Sequence, residues 1–231
     1  DEEPALLHRA KKTDATLDAT PLQLAWLFRV RGMADQQRVP AYSRDKLLAA
    51  VEQLKNLVLA PEETRHVPRI LAEAGVRLVF VEPMPGSKLD GACFWLADDK
   101  PVIGMALRFD RIDNFWFALL HELIHVQRHL TSADPCIADN LDDKTRTSDQ
   151  EQEADREAGE ALIPEAVWAS APVKTSHSAE DVVSLAKQLQ IHPAIVAGRV
   201  RKETENWRLL SNLISSAGKV SDLFNAQLVR Q

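Results

Sequence analysis

Apolar positions change their spacing twice along the chain, dividing it into a helical first third, a run of short strands and a helical remainder. Leu22, Leu24, Ala25, Leu27 and Val30 form one stripe at helical spacing, and Leu47, Leu48, Val51, Leu54, Leu57 and Val58 form a second. Thr20 and Ser43 stand where these helices need an N-cap, and Pro21 fits a first helical position that requires no backbone N–H. Pro61 opens a third segment, interrupted at Pro68 and ended by Gly75. Residues 76–81 are β-rich and stop at the breaker Pro83-Met84-Pro85-Gly86. Residues 92–96 and 101–107 flank Asp98-Asp99-Lys100 and predict a hairpin. The next helix should be capped by Asp113 and run to about His129. It is apolar almost all round (Phe115, Trp116, Phe117, Leu119, Leu120, Leu123, Val126), so it is expected to be buried. Residues 131–147 read as a polar flap or disordered connection, whose Asp134, Asp139, Asp142 and Asp143 lack the spacing of a calcium loop. Helices follow from Ser148, around Val167 and Trp168, from Ser178 and from Pro193. The stretch from Leu185 to Val200 has a helix-turn-helix outline without a basic face, so a packing role is expected.

Candidate chemistry sits in the buried helix. His121 and His125 are one helical turn apart, so both imidazoles leave the same face and can grip one ion. Glu122 lies beside that stripe, placed to reach a water on the ion without being a ligand. Imidazole and carboxylate ligands with an open fourth position point to zinc. The third ligand must come from elsewhere, and Glu151 and Glu153 both offer a carboxylate. Glu151 shares a helix face with Ala154, Asp155, Ala158 and Leu162, whose small side chains let a second helix come close. Glu153, Arg156, Glu157 and Glu160 share the opposite, solvated face. Glu151 is therefore the expected ligand, and Asp155, one turn on, is expected to hold a ligand histidine by its other ring nitrogen. Two competing accounts stand: Ser148-x-x-Glu151 is also a capping box, and His129 is a rival third ligand.

Composition narrows the function classes. The chain has 231 residues, 45% of them hydrophobic, which is ample core for one large domain or two small ones. No apolar run approaches the ~20 residues of a membrane span. A net charge of −6 argues against direct nucleic-acid binding by this portion, and Arg29, Arg31 and Arg38 read as a solvated helix end. Cys93 and Cys136 are too few for a disulfide framework and suit a reducing cytoplasm. No leader peptide is expected, and a chain that starts at Asp1 is expected to be a fragment or processed product, with room for an upstream domain.

His121-Glu122-x-x-His125, followed by Glu151-x-x-Ala154-Asp155 and Ala161-Leu162-Ile163-Pro164, resembles the ImmA/IrrE family of metallopeptidases, over roughly residues 71–201. The sequence departs from the family pattern at Ile124, where glycine is frequent, and at Glu157, where an aromatic is frequent. The resemblance implies an α+β zincin-like domain of the Glu-ligand type, with a small, mostly antiparallel sheet packed on helices. The implied division is a helical lead-in over 1–70, the peptidase domain over 71–205 and a helical tail over 206–231. A zinc endopeptidase cleaving a regulatory protein, a DNA-binding repressor, in a stress or signal response is the implied activity. The alternative is a non-proteolytic regulator or antitoxin whose zincin-like domain senses a ligand or a partner, with a DNA-binding domain upstream. In zincins an edge strand binds the substrate backbone, a role expected here of residues 101–107, with Gly104 permitting close approach. His192 and Arg199 are the expected oxyanion stabilisers. The connection over 131–147 is expected to gate the site by moving Glu151.

Overall fold

Two separate apolar clusters lie on opposite faces of one sheet, and alternation along its strands decides which residue joins which. The computed structural model describes residues 19–131, 136–139 and 149–224. Its strands are β1 (Arg77–Phe80), β2 (Gly91–Trp95), β3 (Pro101–Met105) and β4 (Cys136–Asp139), in the order β1-β3-β2-β4. β1 runs parallel to β3, while β2 is antiparallel to both β3 and β4. Leu78, Phe80, Cys93, Ile103 and Met105 point into the larger cluster; Val79, Ala92, Phe94 and Val102 point into the smaller.

Helix α1 (Pro21–Gln36) covers the smaller face. Thr20 caps it in a full capping box with Gln23, and Pro21 opens it. Trp26, Leu27, Val30 and Ala34 are buried against the sheet. A Cβ at Gly104 would lie 2.8 Å from Val30 and 2.9 Å from Trp26, so the glycine admits this helix rather than a substrate backbone. Polar side chains fix α1 to the strand ends: Gln37 Nε2 donates to Leu78 O (2.9 Å) and Arg31 Nη2 to Leu96 O (3.1 Å). The expected lead-in thus supplies half of the sheet's cover. The expectation that residues 101–107 form an edge strand is also corrected: β3 is paired on both sides, and the outer strands are β1 and β4. Its five buried residues, Pro-Val-Ile-Gly-Met, suit a strand enclosed on both faces.

The larger face holds the remaining helices. Ser43 caps α2 (Arg44–Lys55) as expected. A 3₁₀ turn (Pro61–His66) leads into α3 (Val67–Glu73), and Gly75 at φ +85° ends the segment. Next come α4 (Ile112–Ile124), α5 (Asp149–Leu162), α6 (Glu165–Ser170), α7 (Val173–Ser176), α8 (Ala179–Leu189) and α9 (Pro193–Thr204), then α10 (Ser211–Ser215) and α11 (Val220–Leu223). Phe80, Phe115 and Phe224 stack in the core, with the Phe80 and Phe224 ring centroids 4.2 Å apart. α9 buries Ala194, Ile195, Val196, Ala197 and Val200, a packing helix rather than an exposed recognition helix.

The start of α4 differs from expectation. Arg111 is the N-cap residue, with extended backbone, and Asp113 lies in the first turn, where its charge suits the helix dipole. Arg111 holds it by two bonds of 3.0 Å each, and a Cβ at Gly198 would fall 2.5 Å from its Oδ2, so α9 crosses closely here. Among the described residues no helix is long and apolar enough to cross a membrane.

Candidate metal centre

α4 and the helical turn that continues it (His125–His129) present His121 and His125 to α5, and both rings are fully buried. Small residues make this approach possible: Ala154 and Ala158 on the facing side of α5 are themselves fully buried. The two Nε2 atoms lie 2.9 Å apart. The Glu151 carboxylate straddles them, Oε1 3.3 Å from His125 Nε2 and Oε2 3.5 Å from His121 Nε2. Adjacent donors around a tetrahedral divalent ion of zinc's size lie roughly 3.3–3.4 Å apart, given bonds of about 2.0–2.1 Å. The three separations bracket that distance. Two neutral nitrogens and one carboxylate are a donor set for such an ion, and this is the group of possible ligands found among the described residues.

Asp155 reaches the far side of one ring, its Oδ1 3.0 Å from His121 Nδ1. A carboxylate there keeps the proton on Nδ1 and leaves Nε2 with its lone pair toward Glu151. Lys202 Nζ sits 4.0 Å from Asp155 and 4.4 Å from the centroid of the Phe117 ring, adding a cation behind the carboxylate.

Glu122 is buried beside the histidines but points to the sheet. A Cβ on Gly91 would lie 2.3 Å from its Oε1 and 3.0 Å from both Cγ and Cδ, so β2 runs directly against the side chain. The adjoining Cys136 thiol is pushed up to about 12 by burial, with the Glu122 charge adding to the effect. Both cysteines are buried and free.

His129 does not join the ligand group. Its Nδ1 lies 2.9 Å from Nδ1 of His125, on the opposite side of that ring from Nε2, and its own Nε2 lies 3.2 Å from Glu153 Oε2. Burial holds His129 below the ordinary histidine range, partly offset by its bond to Glu153. The face expected to be solvated is also partly engaged: Arg128 Nη1 binds Glu153 (2.6 Å) and Glu157 (2.5 Å). Glu157 is thus an ion-pair partner at the position where the family pattern often has an aromatic, and Ile124 is accommodated in the core.

His192 and Arg199, the expected oxyanion stabilisers, are held by other contacts. All three guanidinium nitrogens of Arg199 are engaged, with Glu203 (3.0 Å), the Ile163 carbonyl (2.9 Å) and Glu165, while the guanidinium lies over the Trp168 ring. His192 caps α9 through Nδ1, accepting from Ala194 N (3.2 Å), and burial lowers its pKa. Arg199 thus ties α9 to the start of α6, and His192 serves the N-terminus of its own helix. Ser148 and most of the 131–147 connection lie outside the described residues, as therefore do the capping-box alternative and the gate. Sequence reasoning missed β4, the contact of Gly91 with Glu122, and the true direction of His129. The spacing of His121, His125 and His129 was the available signal for the last.

Neither the curated proteins nor the solved structures yield a match to this chain. The family model for the IrrE N-terminal-like domain of the M78 peptidases matches residues 72–201, a span that runs from the end of α3 through most of α9 and contains every residue of the metal centre. With more than half of its length matched in this way, the chain belongs to the M78 peptidase family.

Proposed function

We propose that the chain is a zinc-dependent endopeptidase. The observation that carries this reading is the convergence of two buried Nε2 atoms and the Glu151 carboxylate beside a buried glutamate that is not among them. Bound zinc would supply a water whose pKa falls to about 7 and would polarise the substrate carbonyl. His121, His125 and Glu151 hold the ion in this reading, and Asp155 orients His121 through Nδ1. Glu122 takes a proton from the attacking water and delivers it to the leaving amine. Its position against Gly91 restrains the carboxylate, which a base needs in order to meet both atoms. An extended substrate segment adds along β4, the outer strand beside β2, through main-chain hydrogen bonds.

The substrate assigned is a regulatory protein, a DNA-binding repressor cleaved in a stress or signal response in the cytoplasm. That part rests on the family resemblance. The test is Glu122→Gln against the parent, each loaded with zinc and offered candidate repressors. The variant should keep the metal and lose 10²–10⁴-fold in cleavage, the contribution of a positioned base. Cleavage at the parental rate would remove Glu122 from the mechanism. A parent that binds zinc and repressors but cuts none would favour the non-proteolytic regulator.

A further inference from the structure

The helix that carries the histidines widens just after His125. Leu130 N donates to His125 O at 2.8 Å, five residues back, and residues His125–His129 form a π-helical turn. Such single turns are rare and frequent at functional sites. The wider turn sets His129 nearly above His125, with ring centroids 4.9 Å apart and the two Nδ1 atoms within 2.9 Å. His129 is 6% exposed, and its Nε2 meets Glu153 of α5 at 3.2 Å. Arg128 holds the other Glu153 oxygen.

With both imidazoles neutral, the forms in which His125 can offer a lone pair to a metal, these contacts allow one arrangement of protons. A carboxylate beside a guanidinium only accepts, so the Glu153 contact requires the His129 proton on Nε2. A neutral imidazole protonated there presents a lone pair at Nδ1. The facing His125 Nδ1 must then donate, which leaves the lone pair of His125 on Nε2, the atom beside Glu151. With the His129 proton on Nδ1 instead, its Nε2 and Glu153 Oε2 would oppose each other as two acceptors.

We propose that His129 is the positioning residue of the metal ligand His125, fixing its tautomer and ring orientation with Glu153 and Arg128 as its anchor. The proposal rests on the reading of His125 as a ligand. It gives each expected ligand histidine a carboxylate from α5: Asp155 serves His121 directly, and Glu153 serves His125 through an interposed imidazole. Partners of this kind typically govern metal affinity by 10–100-fold.

The test measures zinc affinity of the full chain by competition with a chromogenic chelator, and thermal unfolding of the zinc-free proteins. His129→Phe keeps the ring volume and removes both bonds; it should bind zinc 10–100-fold more weakly. His129→Gln, whose amide can accept from His125 and donate to Glu153, should stay within a few-fold of the parent. Glu153→Ala should weaken zinc in the parent but add nothing in the His129→Phe background, because both act through one chain of bonds. The Glu153 side chain is one-third exposed, so this variant keeps the comparison available if His129→Phe fails to fold. Parental zinc affinity in either His129→Phe or Glu153→Ala, or additive losses in the double variant, would overturn the proposal. So would a loss in His129→Phe as complete as in His125→Ala, since His129 would then be a ligand. Parental affinity in His125→Ala would instead remove the metal-centre reading on which the proposal stands.

Discussion

Gly91→Ala tests how the sheet holds Glu122. The added methyl would sit 2.3 Å from Oε1 and 3.0 Å from Cγ and Cδ, whereas a relaxed carbon–carbon contact is about 3.5–4.0 Å. The carboxylate and the carbons behind it must therefore shift by about 1 Å, or β2 must bend away from α4. Overpacking of this kind costs about 1–3 kcal/mol of stability. A misplacement of about 1 Å at a reacting group costs about 10²-fold in rate, equivalent to about 2.7 kcal/mol of barrier. The three expected ligands are untouched, so zinc content should equal that of the parent. The assay is cleavage of the substrate repressor, or of a peptide library read by mass spectrometry, alongside metal analysis and thermal unfolding. Full activity in a folded, zinc-loaded Gly91→Ala would refute the view that β2 positions Glu122. Loss of zinc in step with activity would refute it too, because the strand would then be supporting the ligands.

Gly104→Ala makes the matching perturbation on the other face, with its methyl at 2.8–2.9 Å from Val30 and Trp26. It should lower stability by about 1–3 kcal/mol in denaturant titration while leaving zinc affinity at the parental value, and an unchanged midpoint would show that α1 does not pack as described. Cys136, its thiol pushed up to about 12, should resist iodoacetamide at pH 8 in the folded chain and react once the chain is denatured; rapid native labelling would place it at the surface.

Local signals in the sequence were strong where one segment decides its own structure. Thr20 with Gln23, Ser43 and Ser178 cap their helices because a side-chain oxygen needs only the next turn to find its partner. His121, Glu122 and His125 were legible for the same reason, since helical spacing alone sets their directions. The face argument for α5 correctly separated the close-packed Ala154 and Ala158 from Arg156. What failed depended on distant pairing. The edge-strand expectation for β3 follows the zincin resemblance; its parallel pairing with β1, more than twenty residues earlier, leaves no local signal, although its unbroken apolar run suits an enclosed strand. β4 was missed because Cys136, Ile137 and Ala138 make too short a run to declare a strand without β2 beside them. The oxyanion expectation for Arg199 and His192 comes from related peptidases, and the partners Glu165, Glu203 and Ala194 that engage them here are not legible in the spacing of the sequence.

The central claim is that Glu151 completes a zinc site begun by His121 and His125. Zinc retained per chain after dialysis against a weak chelator, measured for Glu151→Ala beside Glu153→Ala, tests it most directly. The account predicts about one zinc in the parent, almost none in Glu151→Ala, and a site in Glu153→Ala that is weakened but still fills at higher zinc. Full zinc in Glu151→Ala, with the metal lost only in Glu153→Ala, would contradict it.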